Sequence, residues 1–193
     1  ATLGDENNTT QIITLSNQRF PVVTIFEVVK EWKDEGFESE RPSNITIAIY
    51  LDSDKNGTPD TYLSEVDLNS SNVDPDDSNK WVSFALIPID EFDLDAFEPE
   101  HIYLVEDTTT SEINLLTEID DKYVTNVAEI RRLDPDYLPD ELHPSVGSLM
   151  PDWLIDYNDV AYRVVRGFTS TVINKHIDQY TAKITNRFVP EKE

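Results

Sequence analysis

Apolar and β-branched residues come in short runs along this chain, separated by polar turns. Between residues 11 and 32 the runs are Ile12, Ile13, Thr14, then Val22, Val23, Thr24, Ile25, and Val28, Val29. They predict one or two strands, interrupted near Pro21, because proline cannot donate to a ladder. Ile45-Thr46-Ile47-Ala48-Ile49-Tyr50 alternates cleanly and predicts another. Strands are also expected over residues 62–68, 81–87 and 102–105, with polar loops at 52–60 and 69–80 between them. The acidic stretch 88–100 holds Phe92, Leu94 and Phe97, which should fold back on the core. Residues 160–165 and 168–173 read as strands flanking Arg166-Gly167, and 180–188 as the last strand.

One segment departs from this pattern. Leu116, Ile119, Tyr123, Val127 and Ile130 recur at three- and four-residue spacing, which predicts a helix. Thr117 with Asp120 resembles its N-cap, and Asp134-Pro135 stops it. Pro139, Pro144 and Pro151 then punctuate an irregular stretch. The sum is a mainly β fold, a sandwich of seven to nine strands with a helix-containing insertion at about 111–160.

Composition narrows the class. The chain has 193 residues, 38% hydrophobic, with eight Tyr, eight Phe and three Trp, enough for a β-rich core. Its net charge of −24 and pI near 4.2 repel nucleic acid and anionic membrane surfaces, so neither is an expected partner. There is no cysteine, which removes disulfides, thiol nucleophiles and thiolate metal sites. A chain without disulfides that must resist force or proteases needs another staple. No apolar run approaches the roughly 20 residues of a membrane span, and no signal peptide is visible. The chain begins at Ala1-Thr2-Leu3-Gly4 and is expected to be a piece of a longer protein.

Two polar residues sit on apolar faces. Alternation places Val28, Lys30 and Trp32 together in one strand, and Ile184, Asn186 and Phe188 together in another. A buried amine is costly unless it is paired, neutralised or consumed.

Val29-Lys30-Glu31-Trp32 followed by Arg41-Pro42-Ser43-Asn44-Ile45-Thr46-Ile47 resembles the opening of a Cna B-type domain, the module of Gram-positive surface adhesins and pilins. Trp81-Val82-Ser83-Phe84 resembles the family's central Trp strand. Tyr103-Leu104-Val105-Glu106-Asp107 resembles its Tyr-x-Val-x-acid strand. Gly167-Phe168-Thr169-Ser170-Thr171-Val172 and Ile184-Thr185-Asn186-Arg187-Phe188 resemble its closing pair. The resemblance covers residues ~25–107 and ~167–188, with gaps. It implies an Ig-like Greek-key β-sandwich over 23–190, with an insertion at 108–166 and residues 1–22 as an N-terminal extension or extra strand.

The resemblance further implies an autocatalytic isopeptide bond, with Lys30 matching the nucleophilic lysine and Asn186 the electrophilic amide. The assisting acid is Asp107 or Glu106. Asp107 is preferred, because counting from Tyr103 puts it on the face of Tyr103 and Val105; a bulge would bring in Glu106 instead. An amine attacks an amide only when neutral, and an apolar site favours both a neutral amine and a protonated acid. On this reading the chain is a structural stalk or pilin-type module, extracellular on a bacterial surface and anchored to the cell wall through regions outside it. Its partners are neighbouring domains of the same surface protein or pilus. It is no enzyme beyond one self-crosslinking turnover.

A second motif, Asp52-x-Asp54-x-Asn56-Gly57-x-x-Asp60, resembles the first half of a calcium loop. Leu63 stands where an EF-hand needs its glutamate, and a polar hairpin turn is the competing reading. Calcium is the one cofactor considered. His101, His143 and His176 are dispersed and read as surface residues, and no nucleophile elbow frames a Ser–His–Asp set. The insertion, with Tyr137, Met150, Trp153, Leu154 and Tyr157, is either packing over a sandwich edge or a surface for a host or matrix ligand. Two further functions stand beside the stalk: an adhesive domain using that insertion, and a carbohydrate hydrolase using a carboxylate pair.

Overall fold

The structure is a computed structural model that describes residues 20–89, 97–106, 123–133, 138–139, 142–144, 152–165 and 179–189. Its strands are β1 Val22–Lys33, β2 Asn44–Leu51, β3 Thr61–Asn69, β4 Val73–Asp74, β5 Asp77–Pro88, β6 Ile102–Glu106, β7 Tyr123–Arg132, β8 His143–Pro144, β9 Asp152–Tyr157, β10 Val160–Val165 and β11 Tyr180–Phe188. They form an Ig-like sandwich of two sheets. One holds β3-β2-β6. The other runs β4-β5-β1-β10-β9-β8, with β11 also pairing β1, and β7 pairing β11.

β1 is the hub of the larger sheet. β5 pairs with it antiparallel on one edge. On the other edge β10 pairs in parallel at Val22 and Val23, and β11 takes over in parallel from Phe26 to Lys33. The first half of β1 is apolar on both faces, as a strand buried on both sides must be. Phe26, Val28 and Trp32 join the core between the sheets, with Ile47, Ile49, Leu68, Ile87, Leu104 and Ile184. Val23 and Ile25 face a second, smaller core with Leu142, Ile155 and Val164. Beyond Ile25 that outer cover ends, and Glu27, Val29 and Glu31 are only half-buried.

The helix expected through Tyr123, Val127 and Ile130 is a strand over the described residues. β7 pairs antiparallel with β11, and its register shifts between Lys183 and Ile184. Ala182 is opposite Ile130 and Ile184 is opposite Val127, so a spacing of two on β11 meets a spacing of three on β7. A bulge adds one residue in just this way. The extra residue makes a period-2 strand imitate helical spacing. Leu116, Ile119 and the capping pair lie outside the described residues.

Other expectations also change. The 69–80 loop contains β4 and the start of β5. The irregular stretch after Pro144 contains β9, which pairs with β10 across Asn158 and Asp159. Both turn residues have positive φ, 49° and 62°, the conformation of a tight two-residue hairpin turn that Asn and Asp tolerate. Phe97 packs in the main core as expected. The expected N-terminal strand, the 168–173 strand, Phe92, Leu94 and about half of the 108–166 insertion lie outside the described residues.

Candidate functional site

The larger sheet brings its polar pair together through β1 and β11. In their parallel register Lys30 is opposite Ile184, and Trp32 is opposite Asn186. Lys30 and Asn186 are therefore diagonal neighbours on one face, within reach of a long side chain. Both are fully buried, and the facing sheet supplies a third polar group, Glu106, at 1% exposure.

Glu106 is the acid that reaches the pair. Its Oε1 accepts a hydrogen bond from Lys30 Nζ, and another from Asn186 Nδ2 at 3.3 Å. The preference for Asp107 took Tyr103 and Val105 as the inward face of β6. Ile102 and Leu104 line the main core instead, and Glu106 continues that alternation without a bulge. Asp107 lies outside the described residues.

Burial holds the Lys30 amine below the ordinary lysine range, down to about 8, against the opposing pull of Glu106. Moving one proton from Lys30 to Glu106 removes both buried charges at once, leaving a neutral amine beside a carboxylic acid. The Asn186 carbonyl oxygen is buried and has no hydrogen-bond partner among the described residues. An orphaned buried acceptor costs on the order of 1–3 kcal/mol. Turning the amide about its last bond exchanges its two ends and presents the carbonyl oxygen to the Glu106 carboxyl. The site thus holds a desolvated amine, a buried amide and an acid touching both, walled by Trp32 and Trp81, whose rings meet edge-on at 5.0 Å.

The loop at 52–60 is arranged differently. Carboxylate oxygens of Asp52, Asp54 and Asp60 lie within 4.8 Å of one another. Asp52 is buried and accepts the backbone N–H groups of Asn56 at 2.9 Å and Gly57 at 2.7 Å. Asp60 accepts from Ser53 N at 3.1 Å, and Asn56 Oδ1 accepts from Thr58 N at 2.8 Å. Gly57, at φ 87°, makes the turn. These bonds are those of an acidic turn closed on itself. His101, which the sequence left on the surface, is half-buried, and its donor atom lies within 4.8 Å of those of Glu98 and Glu100. A one-turn 3-10 segment, Pro99–His101, creates that proximity, which residue spacing does not reveal.

No family model matches this sequence, and neither does any curated protein. The chain is similar to a solved structure, the crystal structure of a single B repeat unit (B1) of the collagen binding surface protein (Cna) of Staphylococcus aureus. Identity is 16%, over 87% of this chain and 51% of that one, with a TM-score of 0.34. The chain spans about half the length of that structure. A likeness at this level carries no weight for the site, which stands on its own distances.

Proposed function

We propose that Lys30 and Asn186 become joined by an isopeptide bond, with Glu106 as the assisting acid, and that the chain serves as a structural module of a bacterial surface protein. The observation that carries this reading is one buried carboxylate oxygen bonded to both the amine and the amide. The neutral Lys30 amine attacks Cγ of Asn186 while Glu106 polarises the carbonyl. The Cγ–Nζ bond forms and the Cγ–Nδ2 bond breaks. Glu106 passes the proton that lets Nδ2 leave as ammonia. Holding amine and amide in contact makes the reaction unimolecular.

The product would tie β1 to β11, closing a loop of roughly 150 residues, worth on the order of 4–5 kcal/mol on the chain-entropy model. The mechanical consequence is larger. Because β1 and β11 are parallel, a pull on the two ends of the chain loads their hydrogen bonds in shear. A covalent link at Lys30–Asn186 would carry that load around everything between. This supports a stalk or pilin-type role at an extracellular, cell-wall-anchored site, with neighbouring domains as partners and no substrate turned over.

Intact mass tests it. The folded protein should weigh one ammonia less than its sequence, and Lys30→Ala should restore the full mass. A full-length mass in the wild-type protein would sink the crosslink. Calcium at the 52–60 loop is a separate addition to this reading, supported by three converging carboxylates. A melting temperature higher in calcium than in chelator, and lost in Asp54→Ala, would assign it.

A further inference from the structure

The connection from β1 to β2 reads in the sequence as a charged loop, yet it is built as a cover over the Lys30 end of the sandwich. Asp34 follows β1 directly and is buried. Its carboxylate accepts two hydrogen bonds from Arg41, from Nε at 2.8 Å and from Nη2 at 2.7 Å. Such fork-on-fork pairing fixes both groups in one geometry. The same guanidinium donates to Asn79 Oδ1 at 2.8 Å and to the Ser78 carbonyl at 3.2 Å. Arg41 thereby bolts the end of β1 to the start of β5. Farther out, Phe37 stacks on Phe188 at 4.3 Å, fastening the same connection to the end of β11.

Under this cover lies Trp32, at 2% exposure. Lys30 Nζ is 5.2 Å from the centre of its ring, and the Arg41 guanidinium carbon is 5.5 Å from it. On the backbone, Trp32 is also the direct partner of Asn186. One indole therefore flanks the amine and adjoins the amide.

We propose that Trp32, clamped by the Asp34–Arg41 pair, is a positioning residue that holds the Lys30 amine toward Asn186 and keeps water from it. The inference rests on the isopeptide reading above. A lysine side chain is long and flexible, so a fixed wall narrows the directions its amine can take. Water reaching the amine would favour its charged, unreactive form. Two cationic groups share the indole, and only one of them can lose its charge, because a guanidinium stays protonated. Among the described residues, the ionisable groups facing Lys30 are Glu106 from β6 and, across the indole, Arg41 with Asp34.

The experiment follows the reaction in time. The full chain is recovered from inclusion bodies in urea, shown to have its full sequence mass at the start, folded by dilution across a pH series, and stopped for mass measurement. In the wild-type protein the rate of ammonia loss should be level below pH about 8 and fall above it, as the Lys30–Glu106 pair gives up the one proton that the reaction uses. In Asp34→Asn/Arg41→Met, which strands no buried charge, that midpoint should move up towards the ordinary lysine value of 10.5. At neutral pH the rate should fall about tenfold for each unit moved. Arg41→Lys keeps the charge and loses the fork, so it should show the same shift in smaller measure even if the double variant fails to fold. Ammonia loss in the variants with an unmoved midpoint, whatever their stability, overturns this inference alone. No ammonia loss from the wild-type protein at any pH overturns the isopeptide reading and this inference with it.

Discussion

Two lysine–glutamate pairs sit on opposite faces of β1, one residue apart. Lys30 meets Glu106 on the inner face, where both side chains are at 0% exposure. Glu31 meets Lys183 of β11 on the outer face at 2.9 Å, with exposures of 19% and 38%. The chemical groups are the same and the surroundings differ. Water screens the outer pair, so each ion would survive without the other, and such pairs contribute about 0–1 kcal/mol. The inner pair has lost its water, and losing one partner leaves an uncompensated buried charge costing about 3–5 kcal/mol. Burial is what separates the two pairs, and the proposed crosslink rests on that difference.

The largest test of this contrast removes each acid in turn. Glu106→Ala should abolish ammonia loss and leave Lys30 buried without its carboxylate. Urea denaturation should then show a loss exceeding the crosslink's own share of about 4–5 kcal/mol. Glu31→Ala should cost under about 1 kcal/mol and leave the mass deficit intact. Similar losses from the two variants would mean that burial does not separate the pairs.

Much of this site was legible in the sequence, and the reason is the period of a strand. Alternation around Val28 and Trp32, and around Ile184 and Phe188, placed Lys30 and Asn186 inward without reference to tertiary structure. The same logic could not choose between faces in β6, because both alternating sets are apolar: Ile102 and Leu104 on one face, Tyr103 and Val105 on the other. Which set faces the core depends on the partner sheet, and pairing with β2 settles it. β7 failed for a related reason. Its bulge opposite Lys183 and Ile184 is a property of the pair of strands, and one strand's sequence carries no mark of it. The Asp34–Arg41 cover was hidden because a charged loop and a salt-bridged lid have the same composition.

The pairs should also part in their response to pH. Asn186→Ala keeps the Lys30 amine and blocks the crosslink. Burial lowers the Lys30 value from 10.5 to about 8, so between those limits the unfolded chain binds more protons than the folded one. Stability should therefore rise with pH across that window, by on the order of 3 kcal/mol, relative to Lys30→Met/Asn186→Ala. The outer pair responds in the acid range instead. Its hydrogen bond from Lys183, more than any other contact, lowers the Glu31 carboxyl below its ordinary 4.5. Its contribution is present above that value and is lost as pH falls through the lowered one. Parallel pH curves for the two uncrosslinked variants would break the assignment of a desolvated amine at Lys30.

Salt provides the finest division between the faces. Ions screen exposed charges beyond about 10 Å at roughly 0.1 M and about 3 Å at 1 M, but they do not enter a dry core. The cost of Lys183→Ala, already under about 1 kcal/mol, should shrink towards nothing as salt rises. The pH-dependent difference between Asn186→Ala and Lys30→Met/Asn186→Ala should persist, since its source is desolvation and not a field that salt can screen. Denaturation midpoints for these variants at low and high salt measure both. A Lys30 effect that faded in step with the Lys183 effect would mean water reaches the inner pair. Its amine would then be an ordinary charged lysine, with no reason to attack Asn186.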